Sequence, residues 1–278
     1  MSSINLLKEH VSYSEVRTWK DCSWKHKLIY LDKIQIFEES QHLYYGTIVH
    51  HGIEHYLKTK EIALNEIEQF IRDEWIRLDF DGKWKVEQEK KNKDYKHIPL
   101  SDWITWATTT LQALPNWMNE NFPNWEFVSA EEQLYEELQD LPLKFKGFID
   151  CIIKIPQKGD KWKYYILDWK TASARGWDRE KQQDFLTQMQ LLLYKNFWMN
   201  KNNLTSREVQ CAFVVLRKTD KIDKVCQLVS VSSGPKNIGE SVKIVRSMVK
   251  GITHQKPMYL KNKTSCQYCP FFNTEHCK

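Results

Sequence analysis

"YYILDWKTAS" (residues 164–173) decides how this chain is read. It starts as an apolar strand and ends in two charges, Asp168 and Lys170, with Trp169 between them. Side chains alternate across a strand, so residues two apart share a face. Asp168 and Lys170 therefore point one way and Trp169 the other. A strand end fraying into water is the commoner meaning of an isolated D-x-K. The sharper meaning is a metal-binding carboxylate with a cation beside it, and the flanking sequence bears on the choice.

One strand upstream, "GFIDCIIKI" (147–155) carries Asp150 inside an otherwise apolar run. A carboxylate there is costly to bury unless it is paired or bound to a metal. If the two strands pair as a hairpin, Asp150 and Asp168 converge on one face. Two close carboxylates repel unless a divalent cation sits between them, and hard oxygen ligands suit Mg²⁺ or Mn²⁺. Lys170 would then stabilise negative charge developing during phosphodiester attack, or orient the attacking water.

Further out, the chain divides by pattern. "SYSEVRTWKDCSWKHKLIYL" (12–31) reads as one helix, with Ser12 and Glu15 as a capping box. "GTIVHHGIEHYLKT" (46–59) opens a second helix near Gly46, and residues 61–78 and 101–120 also show helical periodicity. Pro115 is expected to kink or divide the last of these. Residues 81–100 between them are polar and read as a solvated loop. From residue 125 the period changes. "WEFVSAEEQLYEEL" (125–138) and "LKFKGFIDCIIKI" (143–155) read as strands, followed by a turn at "PQKGDK" and the strand ending in Asp168. A helix over about 179–199, two strands in 208–233, and a helix opening on Pro235 complete a β-β-β-α-β-β-α core.

The bulk numbers agree with one integrated fold. There are 278 residues, 41% of them hydrophobic, which supplies a real core. No stretch approaches the roughly 20 apolar residues needed to cross a bilayer, and "MSSINLLKEH" lacks the apolar segment of a secretory signal. The expected location is the cytoplasm, or the host cytoplasm if the chain is phage-encoded, with no membrane partner. Net charge is +5, from 41 basic and 36 acidic residues, which permits an anionic partner without demanding one. With 12 Trp, 12 Tyr and 12 Phe, most aromatics belong to the core, and some are available to stack on unpaired bases. Seven cysteines in such a chain point away from disulfides and toward metal or cluster ligation.

The order G-x-x-D (Gly147 to Asp150), D-x-K (Asp168 to Lys170) and Q-x-x-x-Y (Gln190 to Tyr194 in "QLLLY") resembles the PD-(D/E)XK nuclease superfamily. "GTIVH" upstream supplies His50, as in the RecB-like branch. That branch includes the nuclease domains of RecB and AddB, small CRISPR-associated RecB-like nucleases, and related phage and eukaryotic exonucleases. The resemblance runs from about residue 12 to the C-terminus; residues 60–125 carry none of it. It implies an α/β restriction-endonuclease-like mixed sheet flanked by helices. By the same resemblance His50, Asp150, Asp168 and the Trp169 backbone carbonyl are metal ligands, and Lys170 is the catalytic cation. Gln190 and Tyr194 would support the site or touch DNA; plain helix packing explains them equally well. Glu132, on the strand before Asp150, is a further candidate behind the ligands. His51 and His55 lack an H-E-x-x-H pattern and are read as solvent or core residues.

The C-terminus, "CQYCPFFNTEHCK" (266–278), holds Cys266, Cys269 and Cys277; Cys22 in "TWKDCSW" is the natural fourth ligand. The RecB-like branch places one N-terminal and three C-terminal cysteines around a [4Fe–4S] cluster, and this arrangement is similar. Spacing alone leaves zinc open, with His276 able to replace one thiol. Cys151, Cys211 and Cys226 fall in strand patterns and read as buried apolar residues.

These readings divide the chain into a helical region (1–125) contributing Cys22 and His50, a nuclease core (126–255), and a cysteine-rich tail (256–278), all within one integrated domain. The implied function is a Mg²⁺- or Mn²⁺-dependent deoxyribonuclease, exonucleolytic and favouring single strands, in recombination, repair or replication. No G-x-x-x-x-G-K-[ST] loop is present, so unwinding would need a separate helicase. Alternatives are a CRISPR-adaptation or end-trimming nuclease within a complex, and, in another class, a non-catalytic DNA-binding scaffold.

Overall fold

The computed structural model describes residues 8–34, 41–91 and 95–278. Residues 1–7 of the opening segment and 92–94 of the polar stretch lie outside the described residues. A six-stranded mixed sheet forms the centre, with α/β architecture as the motif order implies. Strand β1 is His10–Ser12, β2 Glu126–Glu137, β3 Lys144–Gln157, β4 Lys161–Ala172, β5 Val209–Arg217 and β6 Cys226–Ser230. The order is β1-β3-β4-β5-β6, with β2 along the other edge of β3. Pairings are antiparallel for β2/β3, β3/β4 and β5/β6, and parallel for β1/β3 and β4/β5.

The pairing of β3 creates the feature that matters most. Strand β2 covers one edge of β3 from Lys144 to Lys154. The opposite edge is shared: β1 pairs with residues 144–146 and β4 with residues 151–157. Residues 147–150, the G-x-x-D stretch, are left facing a notch between β1 and β4.

Helices cover both sheet faces. Helices α1 (Tyr13–Asp21), α8 (Phe185–Lys201) and α9 (Pro235–Ile252) pack one face through Val16, Leu192, Phe197, Val245 and Met248. On the other lie α3 (Gln41–Thr59), α4 (Leu64–Arg77) and α6 (Leu100–Asn121), around a cluster of edge-to-face rings: Tyr45, Trp75, Phe80 and Trp103. Much of the aromatic content is thus consumed in this second core, where offset and T-shaped ring contacts add to area burial.

Several local expectations are corrected. The first helix breaks at Cys22, which adopts φ −161° and ψ 109° between α1 and the short α2 (Ser23–His26); a π-turn, Lys27–Leu31, follows. Ser12 caps α1 by accepting the Glu15 N–H at 3.3 Å. The Glu15 carboxylate does not close a capping box; it binds buried His26 Nε2 at 2.7 Å and Lys8. The polar stretch 81–100 contains a helix, α5 (Lys83–Lys91), whose first N–H is held by the Asp79 carboxylate at 2.8 Å and whose Trp84 is anchored on Phe80. Composition hid it because one buried tryptophan secures an otherwise solvated helix. Pro115 sits inside α6 without dividing it, since Leu111, Leu114 and Met118 on both sides of it are buried in the same core. The helix expected over 179–199 is two: α7 (Arg179–Gln183) ends at Asp184, whose carboxylate caps α8 through Leu186 and Thr187 N–H.

Candidate active site

Asp168 and Lys170 do share a face. Lys170 Nζ lies 2.5 Å from Asp168 Oδ2, and Trp169 is buried in the opposite core. Strand β4 places them at the notch, and α8 closes it from behind. Gln190 Nε2 donates to Asp168 Oδ1 at 2.9 Å and reaches Tyr194 Oη at 3.3 Å. Residues one turn apart on α8 thus work together. Tyr194 is buried and fills the notch against Gly147, where a Cβ would lie 2.6 Å from its ring. That close approach is why the G-x-x-D stretch needs its glycine.

Asp150 stands where strand alternation slips. Ile149 and Ile152 both pack on the α8 side, although they are three residues apart, and Cys151 packs on the α6 side. By register Asp150 faces Glu131, which has φ +50°, a left-handed backbone rare for a residue with a side chain. Such irregularities re-aim side chains and cluster at functional sites. Asp150 Oδ2 accepts the Trp169 N–H at 2.8 Å, standing in for a missing backbone acceptor. In an extended strand the N–H and C=O of one residue face the same neighbour, so the Trp169 carbonyl is turned to the notch as well.

Helix α3 supplies the third wall. Gly46 passes over Thr171, and His50, one turn on, comes to 3.7 Å from Asp150 Oδ2 through Nδ1. Among the described residues, ligand atoms of His50, Glu131 and Asp150 all lie within 4.8 Å of one another. Glu131 was not anticipated; Glu132 was. Glu132 points through the sheet to the other side, accepting from Ser129 Oγ at 2.5 Å and Trp198 Nε1 at 3.1 Å. Adjacent strand residues face opposite ways, so a choice wrong by one position is wrong by a whole face. The signal that finds Glu131 is its register opposite Asp150. Asp168 is not part of the 4.8 Å set; it is turned to Lys170, which meets its Oδ2, and to Gln190, which meets its Oδ1.

The electrostatics are those of a cation site. Burial, and then the Asp168 carboxylate, push Asp150 well above the usual carboxylate range. Burial and the nearby Glu54 and Asp168 raise Glu131. Burial lowers His50, favouring the neutral ring with a lone pair to donate. Burial alone would lower Lys170, but Asp168 and Asp150 outweigh it and hold its ammonium high. Crowded carboxylates and a neutral imidazole together fit a hard divalent ion.

Cys22, Cys266, Cys269 and Cys277 line one cavity of about 290 Å³. Cys22 Sγ accepts N–H groups from Lys25 and Asn262, both at 3.5 Å. The chain ends are clasped by direct bonds as well: Trp24 N–H to the Leu260 carbonyl at 3.1 Å, Asn262 Nδ2 to Asp21 at 2.8 Å, and Trp24 Nε1 to the His276 carbonyl at 3.0 Å. The break at Cys22 explains the first of these, because it exposes N–H groups at the start of α2 that the tail satisfies. The His276 ring points to Glu275 and Phe271. Cys151 and Cys211 are buried among apolar neighbours as expected, and Cys226 is partly buried at the edge of the α6-side core. No helix among the described residues is long and apolar enough to cross a membrane.

Comparison with known proteins places this geometry. A family model described as the PD-(D/E)XK nuclease superfamily matches residues 10–274. Among solved structures, a candidate exonuclease from Eubacterium rectale superposes with a TM-score of 0.54 at 11% identity, covering 97% of this chain and 91% of its own. A second structure, SSO0001, aligns with a TM-score of 0.33 at 16% identity over 83% of this chain and 95% of its own. No curated protein matches the chain.

Proposed function

The chain belongs to the PD-(D/E)XK nuclease superfamily, and from that premise we propose a divalent-metal-dependent deoxyribonuclease that trims single-stranded DNA from its ends. The observation that carries this reading is the convergence of His50, Glu131 and Asp150 beside Asp168 and Lys170 in the notch. His50, Glu131, Asp150, the Trp169 carbonyl and the Asp168 carboxylate would hold Mg²⁺ or Mn²⁺. The ion supplies charge neutralisation at the scissile phosphate. Lys170, anchored by Asp168, directs its ammonium at the oxygen on which charge develops, or holds the attacking water in line. Gln190 fixes the Asp168 carboxylate so that the lysine stays aimed. Tyr194 closes the notch behind the site and keeps bulk water out of it.

Cys22, Cys266, Cys269 and Cys277 fit a [4Fe–4S] cluster, with zinc as the alternative occupant: four thiols line one cavity, and N–H donors already point at one sulfur. Hydrogen bonds to ligating sulfurs are a recurring feature of such cluster sites. The cluster would stabilise the clasp between the chain ends and leave hydrolysis to the notch. On this reading the chain acts as one integrated nuclease domain in the cytoplasm, in recombination, repair or replication, with any helicase, recombination or CRISPR partner on a separate chain.

The test uses end-labelled single-stranded and blunt duplex DNA with Mg²⁺, Mn²⁺ or EDTA. Metal-dependent release of short products from the linear single strand is expected, with Asp150→Ala and Asp168→Ala inactive but still binding DNA through phosphate contacts elsewhere. Lys170→Ala should slow cleavage by about 10²-fold. Full activity in either aspartate variant sinks the site. Faster digestion of blunt duplex sinks the strand preference, and equal cutting of circular single strands replaces exonuclease by endonuclease.

A further inference from the structure

Most large aromatic side chains are packed into the two cores, but Phe148 on β3 and Tyr135 on β2 are not. Phe148 is 44% exposed and Tyr135 37%. Their positions are not scattered. Tyr135 pairs with Lys146 and Gln133 with Phe148 across β2/β3, and the next positions along the two strands, where the ladder is interrupted, bring Glu131 and Asp150 together. Phe148 and Tyr135 therefore lie on the face opposite the buried Phe145 and Ile149, in a line that runs into the metal site. Helix α3 reaches this face at His50; on the β1 side of it Phe148 and Tyr135 are exposed among the described residues.

The exposed part of this face is also basic. Lys146 Nζ sits 5.8 Å from the centre of the Phe148 ring, and Lys144 Nζ 5.1 Å from that of Tyr135. His10, on β1, stands edge-on to Tyr135 at 5.9 Å. Two carboxylates rim the patch, Glu9 accepting from Tyr135 Oη at 3.3 Å and Glu137 at 4.0 Å from Lys144. Lys146 has neither beside it as an ion-pair partner among those contacts. Aromatic faces alternating with ammonium groups suit a strand whose bases are unpaired: the rings take bases and the lysines take phosphates. A duplex hides its base faces and has nothing to offer Phe148.

We propose that this face of β2, β3 and β1 is the stacking platform for the unpaired nucleotides next to the cleaved bond. Phe148, two residues or about 6.6 Å along β3 from Asp150, takes the base nearest the scissile phosphate. Tyr135 takes a base further along, and Lys146 holds the phosphate between them. The proposal rests on the nuclease reading and adds the residues that give it a preference for single strands.

The experiment measures anisotropy of fluorescein-labelled oligothymidine in Ca²⁺, with cleavage in Mg²⁺ run in parallel. One stacked base is worth about 1–3 kcal/mol by alanine substitution, or roughly 5- to 150-fold, and a half-exposed ring belongs at the low end. Phe148→Ala should weaken binding about 5- to 20-fold, with KM rising more than kcat falls, and Phe148→Trp should restore it. The same oligonucleotide made abasic at the stacked position should bind wild type as weakly as the variant does, and Phe148→Ala should then cost nothing more. That loss of additivity separates stacking from a structural role, because a merely distorted protein would lose binding to both oligonucleotides alike. Wild-type affinity in Phe148→Ala and in Phe148→Ala/Tyr135→Ala, with cleavage by wild type intact, overturns the platform and leaves the nuclease. Wild type that neither binds nor cuts DNA overturns the nuclease reading, and the platform with it.

Discussion

Replacing Gly147 with alanine drives a methyl group into the ring of Tyr194. The new Cβ would sit 2.6 Å from Cε1 and 3.3 Å from Cζ of that ring, with the Phe145 ring at 3.4 Å on another side. Neither ring yields cheaply. Tyr194 is 6% exposed and Phe145 fully buried, and Phe145 is stacked on Phe197 at 4.6 Å. Overpacking of this kind costs about 1–3 kcal/mol. Alanine recovers about 0.5–1 kcal/mol, because glycine is a poor strand residue and Gly147 is not in the left-handed region. The net loss is about 0.5–2 kcal/mol, a measurable part of the ~5–15 kcal/mol that holds a domain folded. Urea unfolding of wild type, Gly147→Ala, Tyr194→Ala and the double variant measures it. Once the ring is gone, Gly147→Ala should be neutral or slightly stabilising, giving a coupling of about 1–3 kcal/mol, the whole of the overpacking cost. A single variant as stable as wild type, or an equal loss with and without Tyr194, refutes the reasoning. Because Tyr194 and Gln190 are joined, the same variant should also lower kcat.

Other outcomes follow from the site and the clasp. Folded Asp150 holds its proton more tightly than unfolded Asp150, so in EDTA stability should fall as pH rises from about 4, the ordinary carboxylate value, through the raised folded pKa; saturating Mg²⁺ should flatten that slope, and urea midpoints across pH check it. Glu131→Gln should weaken metal activation at least about tenfold, judged by the Mg²⁺ concentration for half-maximal cleavage, while Glu132→Gln leaves it near wild type. Anaerobically purified protein should be brown; serine at Cys22, Cys266, Cys269 or Cys277 should bleach it and lower Tm, and serine at Cys151, Cys211 or Cys226 should leave the colour. Colourless protein with one zinc per chain would make the clasp a zinc site.

What the sequence determined by itself is what repeats with a fixed period or lies within one element. A strand has period two, so the shared face of Asp168 and Lys170 and the opposite burial of Trp169 could be read from three letters. A helix repeats every 3.6 residues, so the pairing of Gln190 with Tyr194 was equally visible. Apolar runs marked the other five strands, but β1 is only three residues long and left no pattern to find. The tertiary structure alone decided the rest. Glu131 outranks Glu132 because register with β3 and one left-handed residue set which carboxylate meets His50, and neither is written in local composition. Cys22 lies at a helix break because residues some 240 positions away satisfy the N–H groups and the sulfur that the break exposes. The notch exists because β1 and β4 divide one edge of β3, and an edge is a property of three strands at once. Periodicity belongs to the backbone of a single segment, whereas a site belongs to the meeting of segments, and only long-range packing fixes where they meet.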